Sequence, residues 1–320
     1  MVEKELLAIA FSDLHLHRWK AHSKDDSRLV GVVSALQHIR SIAQKKNVPL
    51  LFNGDFIHNE KAIENKLLAI LAQVFSNPTG GAYPIHGISG NHDMSEKNTA
   101  DHPSPSYIST FSSIFPNYFD CLDFEVRDLR KIRLFGIPYM TGNLGFGKII
   151  KNFLPQIKPD RFNILMLHTD LPGASDAFGH EIGEVENLRT KYFRKWDLVL
   201  AGHIHKPQKL GKNIWMLGSP YQQTRSEKGL ELGYWEIYRN HKPKLIPLGL
   251  PKFIDLTEED EIPNDGNFYT VIPKPREFEK GKKFDAKLDR VKLAKKYLKH
   301  TNIEEPHLRK ALIKILNTTE

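Results

Sequence analysis

The sequence predicts an α/β protein with more than one sheet, and three observations carry the prediction. Short apolar runs of strand character alternate with longer stretches of helical periodicity, each of five such runs stops at a polar or glycine-containing turn, and side chains able to bind metal stand at those stops. The runs are Leu6–Phe11, 48–52, 83–88, 162–167 and 197–200. In open α/β sheets the edge where strands end is where ligands bind, so residues remote in sequence converge there.

Taken in order, residues 28–46 read as a helix after the cap region Ser23-Lys24-Asp25-Asp26, and 61–75 as a second helix ended by Asn77-Pro78-Thr79-Gly80-Gly81. A shorter helix over 106–115 stops at Pro116. Strands are expected again at 124–128, 131–137, 213–217 and 233–238, where they would form the second sheet. Pro251 and the acidic run 258–261 mark a boundary between a main domain, residues 1–250, and a small α+β appendage, residues 251–320. In the appendage, 268–272 reads as a strand. Two helices follow, with Leu288, Val291, Ala294 and Leu298 and then Leu308, Leu312 and Ile315 or Leu316 at helical spacing. The loop 169–183, which directly follows His168, is expected to border a substrate groove.

With 320 residues, 40% hydrophobic and 26% charged, the chain can bury a full core. No apolar run approaches the roughly 20 residues of a membrane helix, and the first run is too short for a signal peptide. Cys121 is the single cysteine, which excludes an internal disulfide or thiolate metal site and points to a reducing cytoplasm. A net charge of +8 favours a polyanionic partner. The densest basic stretch, with Lys283, Lys287, Lys292, Lys295, Lys296 and Lys299, also reads simply as a solvated helix face.

The chemistry lies in five segments: Asp13-Leu14-His15, Gly54-Asp55, Gly90-Asn91-His92-Asp93, His168, and Gly202-His203-Ile204-His205. A lone Asp-x-His or His-x-His is more often a turn than a ligand pair. Five such segments in order, each after a strand, form a mixed nitrogen and oxygen shell suited to catalytic divalent ions. Asp13, His15, Asp55 and His205 are expected to hold a first ion, and Asp55, Asn91, His168 and His203 a second, with Asp55 shared. Two ions about 3.5–4 Å apart activate water and clamp both oxygens of a phosphoryl transfer. Manganese is the expected metal, with iron, zinc or magnesium as alternatives. His92 is left over as a proton donor, and the adjacent Asp93 is expected to orient it.

At these residues the sequence resembles the calcineurin-like metallophosphoesterase superfamily, over about residues 6–250. The resemblance implies an αββα two-sheet sandwich with a dimetal centre at one edge. Asp13-Leu14-His15-Leu16, Gly54-Asp55-Phe56-Ile57-His58, Leu217-Gly218-Ser219-Pro220 and Gly233-Tyr234-Trp235 are further similar to the SbcD-type double-strand-break repair nucleases. Leu250-Pro251-Lys252-Phe253 resembles the point where that family leaves its nuclease domain for its cap domain. His17 stands where the family usually has glycine, and the C-terminal part is short. The narrower resemblance implies a dimetal-dependent DNA nuclease, exonuclease or endonuclease, of DNA repair and recombination in a bacterial or phage-infected cytoplasm. It also implies a backbone-contacting His58, a C-terminal helical segment for an SbcC-type ATPase partner, and a homodimer. The helices after the second and third motifs would meet in that dimer through Leu67, Leu68, Leu71, Tyr107, Phe111 and Phe115. The alternatives are a small-molecule phosphodiesterase or protein phosphatase with the same core, or a DNA-end-binding scaffold.

Overall fold

The computed structural model describes residues 5–23, 25–76, 83–99, 101–183, 185–186, 188–239 and 242–272. The chain begins with β1 (Leu6–Phe11), α1 (Ser27–Lys46), β2 (Leu50–Asn53), α2 (Asn65–Ser76), β3 (Ile85–Ile88), α3 (Tyr107–Ile114) and β4 (Phe119–Cys121). It continues through β5 (Val126–Leu129), β6 (Ile132–Ile137), α4 (Phe146–Phe153), β7 (Phe162–His168), β8 (Leu198–Gly202), β9 (Gln208–Lys209) and β10 (Ile214–Met216). The last described strands are β11 (Gly233–Tyr238), β12 (Lys244–Pro247), β13 (Phe253–Thr257) and β14 (Phe268–Ile272).

Two six-stranded mixed sheets result, one ordered β12-β11-β1-β2-β3-β4 and the other β5-β6-β7-β8-β10-β9. The strands that deliver the five motifs run parallel within their sheets: β1 with β2, β2 with β3, and β7 with β8. Their C-terminal ends therefore point the same way, and the motifs gather at one edge. The alternation of β1 shows how the layers form. Ile9 and Phe11 enter a core with α1, α2 and α3, whereas Ala8 and Ala10 enter a second core with β7 and β8 residues Ile164, Met166, Leu198 and Leu200. A third core lies on the far face of the second sheet, against α4. Helices cover both outer faces, giving the αββα sandwich.

Three expectations change. The strand Gly233–Tyr238 pairs antiparallel with β1 and so belongs to the first sheet, not the second, while β7 and β8 build the second sheet. A chain leaving β10 can cross between sheets here because Trp235 and Leu217 both fill the core between them. Helix α4 was not expected, although Phe146, Ile149, Ile150 and Phe153 have helical spacing and are all buried. Leu67, Leu71 and Phe111 are also buried, packed on the first sheet, so they cannot form the apolar dimer contact; Tyr107 and Phe115 are partly buried, and Leu68 and Ile114 are the large exposed apolar residues described in those two helices.

Beyond residue 250, β13 and β14 pair in parallel as a separate ribbon, and Phe253 N donates to Gln222 Oε1 at 2.7 Å. The two helices expected after the ribbon and the basic stretch lie outside the described residues, as does the turn expected at 77–81. Among the described residues no helix is long and apolar enough to cross a membrane.

Candidate metal centre

The first two motifs are laced together by backbone before any side chain acts. Asp13 N donates to Gly54 O and His15 N to Asp55 O, both at 2.9 Å, extending the β1–β2 pairing past the strand ends. To turn their side chains inward, Asp13, His15, Asp55 and His203 adopt positive φ (52°, 43°, 61° and 97°). Such left-handed backbone in non-glycine residues stores roughly 1–3 kcal/mol each and persists where the surroundings over-determine it. Gly54 (φ +92°) is required for a second reason: a side chain there would collide with His168.

Asp55 stands at the centre. Its Oδ2 lies 3.4 Å from His15 Nε2 and 3.3 Å from His168 Nε2, while its Oδ1 accepts from His92 N at 2.8 Å. Around it, among the described residues, the potential donor atoms fall into three groups, each within 4.8 Å of one another: Asp13 with His15 and His205, Asp55 with His168 and His203, and a third of imidazoles alone, His15 with His58 and His92. Asn91 Oδ1 joins the second group, 3.2 Å from His168 Nε2. The residues that the sequence suggested as two ligand sets are thus brought together, with Asp55 between them. Buried carboxylates facing the free nitrogens of buried imidazoles, without a thiolate, fit a pair of divalent ions.

The imidazoles are oriented from behind. His168 Nδ1 donates to Asn53 O at 2.6 Å and His205 Nδ1 to Glu227 Oε1 at 2.7 Å, which leaves each Nε2 free toward the centre. Burial and mutual contact shift these groups in different directions. Burial disfavours charge on Asp55 and His168 alike, yet the nearby His168 and His15 hold Asp55 well below the carboxylate range, and Asp55 and Asp13 push His168 up to about 9. Burial raises Asp13, and it lowers His15 well below its ordinary value. Burial and then His168 bring His203 down to about 3. For His205, burial is outweighed by Glu227 and Asp13, so its pKa rises. A cation among these groups would take the place of the shared protons.

Asp93 does something other than orient His92. Its Oδ1 accepts from Phe56 N (2.8 Å) and Ile57 N (3.1 Å), and its Oδ2 from Asp55 N (2.7 Å) and Gly90 N (2.9 Å). A carboxylate surrounded by four backbone donors has no geometry left for the His92 ring, which instead donates from Nδ1 to His58 O at 2.7 Å. Asp93 therefore clamps the Asp55 and Asn91 loops together, and the His58 carbonyl sets the His92 tautomer. The His58 ring stacks on His92 (5.4 Å between centroids, 14° between planes) and is flanked by His17 and Trp19. Burial, His17 and His92 bring its pKa down to about 4, so His58 is neutral at pH 7.

Four supporting residues were not singled out from sequence. Glu227 and Gln223 come from a turn after β10 with no recognisable spacing to a motif, and Tyr139 lies beside the His168 and His203 rings. Asp170, 3.5 Å from His203 Nε2, carried a readable signal as the carboxylate two residues past a strand-end histidine. It opens the loop 169–183, which Lys206 Nζ ties back through Ser175 Oγ at 2.8 Å. Residues 7–207 match the family model for calcineurin-like phosphoesterases.

Proposed function

The chain belongs to the calcineurin-like phosphoesterase family, whose members hydrolyse phosphoesters with two divalent ions, and we propose that the phosphoester here is the backbone of DNA. The observation that carries this reading is His58. It stands against His92 and His15 at the rim of the centre, offers an imidazole beyond the two ligand groups, and continues the site through His17 and Trp19. A neutral imidazole there donates a hydrogen bond to a phosphate oxygen and so holds a chain of phosphates in register.

In the proposed mechanism, Asp13, His15, Asp55 and His205 would hold one ion, and Asp55, Asn91, His168 and His203 the other. Bound ions supply Lewis acidity and activate water at neutral pH. Asn53 and Glu227 keep His168 and His205 in the tautomer that presents Nε2. With Nδ1 committed to the His58 carbonyl, His92 can carry a proton at Nε2 and give it to the departing sugar oxygen.

A homodimer, an SbcC-type ATPase partner, manganese as the native metal and a cap-like appendage from residue 251 belong to the same proposal. Leu68 and Ile114 replace the buried leucines and phenylalanine as the apolar contact. The test is the manganese-loaded protein on linear duplex DNA, single-stranded DNA, a nitrophenyl phosphomonoester and cyclic nucleotides at rising salt. DNA cleavage should fall steeply with salt while hydrolysis of small esters does not, because only the polymer releases many counterions on binding. Robust turnover of the monoester or cyclic nucleotides without DNA cleavage would replace the nuclease with a phosphatase or phosphodiesterase.

A further inference from the structure

Arg28, in the first turn of α1, is outside every motif and is 7% exposed. Its guanidinium lies 4.8 Å from the Trp19 ring and 5.0 and 5.7 Å from Phe268 and Phe253 of the β13–β14 ribbon. A desolvated arginine among aromatic rings is held by cation–π attraction, which fixes its plane and aims its N–H groups. They are aimed at carbonyl oxygens: Nη1 donates to Ala21 O at 3.1 Å and Nη2 to Gln223 O at 2.8 Å.

Gln223 is where that contact reaches the metal centre. Its side-chain Nε2 donates to Asp13 O at 2.7 Å, and its backbone N donates to Glu227 Oε2 at 2.6 Å. The other oxygen of Glu227 accepts from His205 Nδ1. One residue held by Arg28 thus touches the backbone of Asp13 and the carboxylate that orients His205, both in the first ligand group. The second group is anchored mainly elsewhere, His168 on Asn53 O and the Asn91 turn on Asp55 and Asp93, with the His203 N–H on the Asp13 carboxylate as the cross-link.

Resting on the two-ion reading above, we propose that Arg28 is a positioning residue for the first metal subsite. By pinning Gln223 it sets the placement of Asp13 and His205, and it makes that subsite depend on the β13–β14 ribbon that holds Arg28 in place. If Arg28 only joined α1 to the ribbon, its loss would lower stability and leave both ion affinities alone.

Manganese titration of the metal-free full chain, followed by calorimetry and electron paramagnetic resonance, separates the two roles without measuring activity. In Arg28→Met the first ion should bind about 10–100-fold more weakly, the size of effect usual for groups that orient metal ligands, while the second stays close to wild type. The spectrum should then show an isolated ion where the wild type shows a coupled pair. Arg28→Lys, which can reach one of the two carbonyls, should lose less and serves if the methionine variant does not fold. Gln223→Met keeps Arg28 and the backbone bonds but removes the donor to Asp13, and should weaken the same ion. Folded variants with both affinities unchanged, or with both reduced alike, would overturn the assignment. A wild type that takes up only one ion would overturn the two-ion reading itself.

Discussion

Replacing Asp93 with Asn tests the clamp that holds two of the metal-bearing loops. The carboxylate accepts four backbone N–H groups, two on each oxygen, from Gly90, Asp55, Phe56 and Ile57. An amide keeps one oxygen and so serves two of them, while its NH2 faces the other two as donor against donor. A buried donor left without a partner costs about 1–3 kcal/mol, which gives roughly 2–6 kcal/mol for two. Below its raised pKa the wild-type side chain is the neutral acid, whose hydroxyl oxygen still accepts where the amide NH2 only donates, so a loss in the lower part of that range, about 2–4 kcal/mol, is expected at mildly acidic pH. The pH dependence follows from the same environment. Burial and then the charge of Asp55 push the Asp93 carboxyl up from 3.8 to about 7. Its contribution to stability is complete below the unfolded value near 4 and is lost as pH rises through about 7, whereas the amide does not titrate. Urea unfolding of metal-free protein should therefore show the variant's deficit narrowing between pH about 5 and about 8. A variant as stable as wild type at the lower pH, or a deficit that widens with pH, would refute the clamp.

The other predictions address catalysis, substrate and packing. His92→Gln should keep both ions by elemental analysis yet lose about 100-fold or more in turnover, the usual contribution of general acid catalysis; metal loss would show His92 to be a ligand. His58→Ser should impair DNA degradation far more than hydrolysis of a small phosphodiester, and equal loss on both would make His58 a support of the metal site. Leu71→Ala should cost about 2–5 kcal/mol in thermal or urea unfolding because the side chain is fully buried. Leu68→Asp with Ile114→Asp should remain folded and give a monomer by light scattering, whereas an unchanged dimer would place the contact elsewhere.

What was legible in the chain follows from how local each signal is. The bounds of Gly233–Tyr238 and Phe268–Ile272 were readable because alternation and β-branched or aromatic residues are properties of a few neighbours. Which sheet Gly233–Tyr238 joins was not, since that depends on its pairing with β1, more than 200 residues away in sequence. The candidate ligands could be picked out because each motif is short and follows its own strand. Glu227 and Gln223 were not, because their roles exist only once the turn after β10 is folded against Asp13 and His205. His92 and Asp93 show the same limit at closer range: adjacency suggested that one orients the other, but consecutive side chains point apart, and Asp93 is buried among backbone amides. Leu67, Leu71 and Phe111 were expected at an interface, and it is their burial against the first sheet, which helical spacing alone does not reveal, that places them in the core.

Manganese titration of metal-free wild type beside Asp55→Asn asks whether two ions would share the Asp55 carboxylate. The wild type should take up two ions per chain with the spin coupling of a shared carboxylate bridge, and the variant should lose that coupling together with tight binding of the second ion. A wild type that saturates with a single ion, or an Asp55→Asn protein that still binds a coupled pair, would contradict that sharing.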